Sequence, residues 1–494
     1  MARRGRGSVL RAISLYIILA SAVLAIVEGV RFSHSRTHFP PGTRIAGVPV
    51  AGLDRQKSAQ RLLEIYNLPV EIHYRDAIID LDPSGIGFRL DLDSMLAAAE
   101  RAYTQQPFWT GYLNFVWGKN KVSIDIPLQA SYPESSLRSF LEDLEYRYAV
   151  TPKPAMPAVG TVDFYPGYPG LSFDLEACLP LIDQALRSPS QRIVELPPIQ
   201  TAPPRLSFKN LAIFLKQTVR QSKYDGLIVL YLRDLQTTDE IHFVYRAGKD
   251  LVAKPDIAFS ASNIIQLPIM VSVYRRAGDH PDQDTEFLLE QMILKSQNVV
   301  ADLLMKRKIS SWRAPLDVTD DMRSLGLNNT FLAGYFYLGA PLLNFYQTPA
   351  NQRTNITTNP DVYNQTTASD MGMLLEDIYQ CSQFNGGTLL AVFPGEIDQK
   401  ECQEMVTYLA RNRIGTLIEA GVPEGGIVAH KYGWETPAGI MATLGDAAIV
   451  YTPGGNYVLV IFLYHPVQLV WEPVSKLTAD LSAVVYNYFN MPVR

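Results

Sequence analysis

Cysteine is scarce in this chain, with three in 494 residues, and Cys178, Cys381 and Cys402 do not fall at spacings that hold a metal. Neither a metal site nor a cofactor is therefore expected. Positive charge in excess is also missing. A formal net charge of -5 leaves no basic footprint, which argues against nucleic acid as a partner. Charged residues make up only 19% of the chain while hydrophobic ones make up 47%, so large cores can be buried. The length exceeds one ordinary domain and predicts about two or three.

One long hydrophobic run is present. Arg3, Arg4, Arg6 and Arg11 precede a charge-free stretch from Ala12 to Val27, near the lower limit for a bilayer span, and Glu28 can snorkel so that Gly29 and Val30 extend it. The basic flank orients such an anchor with the rest of the chain outside the cytoplasm, as a single-pass protein of the plasma membrane. A cleaved signal peptide is the competing reading, because small residues at Ala20 to Ala22 and Ala22 to Ala25 suit cleavage. Either choice gives an oxidising compartment, in which Cys381 and Cys402 form a bridge between neighbouring helices or stay as two buried thiols.

Residues 43 to about 200 contain an internal repeat with an offset of 83. PSGIGFRLDLDSMLAAAERA, from Pro83, lies without a gap over PGYPGLSFDLEACLPLIDQA, from Pro166. Each copy reads as a Pro/Gly turn, a short strand, a capping Asp (Asp91 or Asp174) and an amphipathic helix. A helix and strand precede each, Ser58 to Tyr66 with Val70 to Tyr74 and Glu134 to Tyr148 with Thr161 to Phe164, so a duplicated α+β module is expected. The opening IAGVPVAGLDRQKSAQRLL, from Ile45, resembles the peptidoglycan-binding domain found outside the membrane in many bacterial envelope proteins. The resemblance implies peptidoglycan as a partner; the alternative is a rigid spacer.

LPPIQTAPPRLS, from Leu196, reads as a stiff linker, since its two Pro pairs remove backbone donors. Beyond it come a helix (Asn210 to Ser222), a hairpin (Leu227 to Leu232 and Ile241 to Tyr245), a helical portion through Asn412, three strands (Ile427 to His430, Ala447 to Thr452, Tyr457 to Tyr464) and a last helix. Leu477, Leu481, Val484, Val485 and Tyr488 fix that helix by their spacing. A five-stranded antiparallel sheet with a separate helical lobe follows. Within the helical portion, the stretch IAFSASNIIQLPIMVSVYR from Ile257 reads as a polar turn feeding an almost wholly apolar helix, which belongs at the centre of a domain.

That stretch, with Ser296-Gln297-Asn298 and His430-Lys431-Tyr432-Gly433, resembles the active-site frame of class A β-lactamases and related penicillin-recognising serine hydrolases. The family pattern has a Ser and, three residues on, a Lys on the same helical face, which activates the hydroxyl. Anchoring on Leu267 to Met270 puts Asn263 at the Ser position and Gln266 at the Lys position. A carboxamide is a poor nucleophile and accepts no proton from a hydroxyl near neutral pH. The family's Ser-Asp-Asn element reads Ser296-Gln297-Asn298, and its Lys-Thr-Gly reads Lys431-Tyr432-Gly433, where Lys431 would meet a ligand carboxylate and bulky Tyr432 replaces a small hydroxyl. The Glu that serves deacylation has no counterpart, because no Glu occurs from Gln291 to Leu375; Asp361 could stand nearby, but a lone loop Asp is more often a turn former.

The resemblance thus implies an α+β chain with four parts: basic tail and membrane anchor (1–35), tandem peptidoglycan-binding module (36–196), linker (197–207) and β-lactamase-like domain (208–494). It implies an envelope protein whose hydrolase domain is inactive and binds or scaffolds the cell wall, peptidoglycan or its stem peptides being the partner. The alternative is an active hydrolase with a displaced nucleophile. Ser262 is then the candidate, although a helix cap is a sufficient role for it.

Overall fold

The computed structural model describes residues 6–104, 108–118, 124–251, 256–278 and 280–491. Arg3 and Arg4 lie outside the described residues. The chain divides into two compact units, one of Met1–Pro152 with Pro169–Ala202 and one of Lys153–Tyr168 with Pro203–Arg494. Residues 153–168, expected within the tandem module, thus belong with the second unit. There Phe164 sets its ring edge-on to Phe214, 5.4 Å between centroids.

The first unit begins with helix α1 (Arg6–Ser35), whose stretch Ile13–Ser35 is long and apolar enough to cross a membrane. Helices Arg55–Tyr66, Leu92–Thr104, Glu134–Tyr148 and Leu175–Leu186 follow, together with a shorter one, α2 (Phe108–Val116). The caps are those that the repeat predicts: Asp91 accepts the Ser94 N–H at 3.0 Å and Asp174 the Ala177 N–H at 3.1 Å. Sheets here are small, of two or three strands. One core holds residues from both copies, among them Leu62, Tyr66 and Met95 with Cys178 and Ile182. Part of the expected linker is a strand, because Pro198–Thr201 pairs antiparallel with Gly170–Phe173. Pro198 opens that strand, where a missing donor is tolerated.

The second unit is built on one antiparallel sheet. Its strands are β1 (Leu227–Asp234), β2 (Glu240–Arg246), β3 (Lys249–Asp250), β4 (Ile427–Glu435), β5 (Thr443–Tyr451) and β6 (Tyr457–Tyr464), in the order β3-β2-β1-β6-β5-β4. The sheet therefore has six strands rather than five, the two-residue β3 extending the β2 edge. Strand β5 begins four residues before the expected Ala447, through a Gly and an Asp that disfavour strands. Tertiary packing decides the matter: a Cβ at Gly445 would run into the Phe462 ring, and the Asp446 carboxylate is bonded by buried groups.

Alternate residues of the strands enter different cores, as a pleat with period two requires. Val229, Ala447 and Val460 face the helical lobe, while Ile228, Ala448 and Ile461 face helices α3 (Phe208–Gln221) and, at the chain end, Trp471–Phe489. The five residues whose spacing predicts the last helix are all buried in it. In the lobe, α4 (Gln266–Tyr274) has all nine residues buried, in keeping with its apolar sequence. The lobe also contains α5 (Gln283–Lys295), α6 (Ala368–Phe384) and α7 (Gln399–Arg411). Cys381 of α6 and Cys402 of α7 form a disulfide with their Cα atoms 5.9 Å apart, which resolves the two alternatives for these residues; Cys178 is a buried free thiol.

Candidate functional site

The chain enters α4 through a tight 3-10 turn, Ser262–Ile265. Ser262 sits at φ +50°, a left-handed conformation that costs a side-chain-bearing residue on the order of 1 kcal/mol or more. A hydrogen bond holds it there, its N–H donating to Asn364 Oδ1 at 2.8 Å. Ser262 is not the cap foreseen for it: the cap position falls on Ala261, which makes no side-chain cap bond. Directly opposite, β4 closes on the turn. A Cβ at Gly433 would lie 2.7 Å from the Asn263 nitrogen, so only glycine lets the strand approach this far.

Gln266 is fully buried, and its Nε2 donates to Asn298 Oδ1 at 3.3 Å. Its Oε1 is buried with no partner among the described residues. Ser296 takes φ +52°, which ends α5 and turns the chain into the helix Asn298–Leu304. Lys431 is also fully buried; its Nζ donates to the Ile293 carbonyl at 2.7 Å and to Ser296 Oγ at 2.6 Å. Burial pushes this amine down to about 7, and the Asp446 carboxylate opposes the shift only in part. The expectation that Lys431 presents its charge to a ligand carboxylate is therefore corrected: the ammonium is enclosed, and two protein oxygens take its hydrogen bonds.

Asn263, Gln266, Ser296, Asn298, Lys431 and Gly433 are thus linked pairwise around the start of α4. Tyr432 departs from the group. Its ring stacks on Trp434 at 5.9 Å with 7° between planes, and it packs against the core between the sheet and α3. Asp361 is a turn former as its loop position predicts, with Oδ1 accepting the Tyr363 N–H at 3.0 Å and Oδ2 accepting from Asn364 Nδ2 at 2.8 Å. Its N–H donates to Ser260 Oγ at 2.7 Å, so Ser260 is tied into the same turn. Burial raises the Asp361 carboxyl.

Sequence reasoning missed a second network behind β4. His430 is fully buried, with Nδ1 3.0 Å from Asp446 Oδ1 and Nε2 2.9 Å from the Asn412 carbonyl. Burial disfavours its charge, but the Asp446 and Glu419 carboxylates outweigh that, and the imidazole is raised above its ordinary value. Acceptors at both ring nitrogens suit the doubly protonated form. Asp446 lies 16 residues away in sequence and faces His430 only through strand register, so no local pattern announces the pair. Two cavities in this unit, of about 470 and 210 Å³, are lined by other residues, including Tyr231, His242 and Asp370 around the first and Leu235, Tyr379 and Phe384 around the second.

The family model described as the beta-lactamase enzyme family matches residues 283–489. The matched span starts after α4 and includes Ser296, Asn298, Lys431 and Gly433. Among solved structures, the chain is similar to PBP-A, with 20% identity over 58% of this chain and 98% of that one and a TM-score of 0.40. It is similar also to a class A beta-lactamase from Mycobacterium abscessus, with 17% identity over 57% and 99% and a TM-score of 0.40. A beta-lactamase from Streptosporangium roseum gives 17% identity over 57% and 99%, with a TM-score of 0.40. No curated protein matches the chain. By the family model, the second unit contains a β-lactamase-like domain over residues 283–489.

Proposed function

We propose that the protein is a membrane-anchored, extracytoplasmic component of the cell envelope, and that its β-lactamase-like domain is catalytically silent and serves as a cell-wall binding or scaffolding module. One observation carries the reading. The positions that need a hydroxyl and an amine hold Asn263 and Gln266, and the Lys431 amine is enclosed and bonded to Ile293 and Ser296. Removing the nucleophile or base of a unit that acts together abolishes most of its catalysis. The first unit, with its repeated sequence and its single core, acts as a tandem peptidoglycan-binding module that presents this domain to the wall. Support for the compartment comes from the Cys381–Cys402 bridge, since disulfides persist outside the cytoplasm.

A second reading draws on the same contact. An amine lowered to about 7 and 2.6 Å from a hydroxyl is a pair that, deprotonated, takes a proton from Ser296. An active hydrolase would then use Ser296, or Ser262 as the displaced nucleophile. Intact-protein mass after incubation with a fluorescent penicillin separates the readings. No covalent adduct is expected, together with retention of the protein on purified peptidoglycan; a mass increase mapped to Ser262 or Ser296 would overturn the silent-domain reading.

A further inference from the structure

Helix α2 has the sequence FWTGYLNFV, with no charge in its nine residues. Thr110 and Asn114, four residues apart, form its polar edge, and the rest of its surface does not prefer water. One of its faces is accounted for. Phe108, Tyr112 and Phe115, at i, i+4 and i+7, surround Phe32 near the end of α1, with ring centroids 5.3, 5.7 and 5.5 Å away. Gly111 permits the approach, since a Cβ there would lie 3.1 Å from the tip of the Phe32 ring. Tyr112 also donates its hydroxyl to the Ala25 carbonyl at 3.2 Å. Phe32 is left only 5% exposed.

The opposite face is bare. Trp109 is 72% exposed, Leu113 57%, Val116 50% and Trp117 72%. These fall at i, i+4, i+7 and i+8, one stripe of a helix, and the Trp117 N–H donates to the Leu113 carbonyl at 3.0 Å, so the last residue continues the turn. The stripe adjoins a particular level of α1. From Ala25 to Phe32 the axis rises about 10 Å. Within that rise the charge-free run ends at Val27, and Glu28 pairs with Arg31 at 2.9 Å. At the outer end the Arg36 guanidinium lies 5.6 Å from the centre of the Phe108 ring. Hydrocarbon gives way to headgroups where a spanning helix gains its first charges, and tryptophan is enriched at that depth.

We propose that α2 is an interfacial helix, which lays Trp109, Leu113, Val116 and Trp117 into the boundary between acyl chains and headgroups of the membrane that α1 crosses. The proposal rests on α1 spanning that membrane. Lipid is favoured over a protein as the occupant because α2 meets α1 at Ala25, and the apolar residues on either side of Ala25, Leu24 and Ile26, are equally bare. Two large aromatic anchors and no charge on the buried face are what that depth selects.

The test uses the full chain reconstituted into phosphatidylcholine vesicles with brominated acyl chains, beside a Trp109→Phe, Trp117→Phe double variant that keeps the helix apolar. Flotation with vesicles at alkaline pH reports on α1, and bromolipid quenching of tryptophan emission reports on α2. Both proteins are expected to float, with quenching strong in the wild type and mostly lost in the variant, which keeps Trp312, Trp434 and Trp471. Equal quenching in two floating proteins would overturn the interfacial helix and leave the stripe as a surface for a protein partner. Failure of the wild type to float would instead remove the anchor, and the interfacial helix with it.

Discussion

His430 and Lys431 are consecutive residues of one strand, both fully buried, and their surroundings treat positive charge in opposite ways. His430 faces the Asp446 carboxylate and is driven toward the charged form. Lys431 has neutral oxygens as its close partners and is driven toward the uncharged form. A buried charge is tolerated when paired and costly when not. The first arrangement is a structural brace between β4, β5 and the chain at Asn412. The second holds an amine without a permanent counter-ion, on the Ile293 carbonyl and the Ser296 hydroxyl.

The contrast can be broken most severely at Asp446. Asp446→Ala leaves His430 Nδ1 and the Ile418 N–H without their acceptor, and the expected loss is about 3–5 kcal/mol in denaturant unfolding. The loss depends on pH with a fixed sign. A raised imidazole value gives stability that is complete below the unfolded value, about 6.5, and that fades as pH rises through the folded value. The penalty of Asp446→Ala should therefore be larger at pH 5.5 than in alkali. A penalty growing with pH would contradict the assigned charge on His430.

Lys431→Met tests the other half. In the wild type the amine is lowered to about 7 when folded, against about 10.4 when unfolded. Between those values the unfolded chain binds more protons, so wild-type stability rises with pH by at most about 1.4 kcal/mol per unit. Methionine does not titrate, and the variant should lose that slope. Thermal unfolding of both proteins from pH 6 to 10 measures it, and a stability difference independent of pH would show that Lys431 is not the titrating group. The smallest expected effect is at Gln266, whose Oε1 is buried without a partner. Gln266→Leu removes that acceptor at similar volume and should be neutral or stabilising by up to about 1 kcal/mol in the same assay. A loss of several kcal/mol would mean that the carboxamide pair with Asn298 holds the lobe together.

What could be read from sequence depended on whether the deciding contact was local. The α4 stretch and the last helix were legible because their burial is written in periodicity. The caps Asp91 and Asp174 were legible because a side chain and the N–H it accepts lie three residues apart. The start of β5 was not, since Gly445 and Asp446 are poor strand residues whose place is set by Phe462 and His430 across the sheet. The same holds for β3 and for Pro198–Thr201, short strands defined by a neighbouring edge. At the site, Asn263 and Gln266 were placed by spacing from Leu267 to Met270. The enclosure of Lys431 was not visible, because charge and position in a sequence say nothing of which carbonyl stands opposite. The packing of Tyr432 was hidden for a related reason: its ring stacks on Trp434, which in turn meets Trp471, far along the chain.

The disulfide gives the chain a chemical memory of where it matured. A molecule that folded under oxidising conditions has one thiol, Cys178, hidden in the core of the first unit, whereas a molecule retained among reducing partners has three. The helical lobe is the part that registers the difference, because the bond ties α6 to α7 within it. Closing the bond and locking α6 to α7 are thereby one event, and under reducing conditions the lobe stays unlocked.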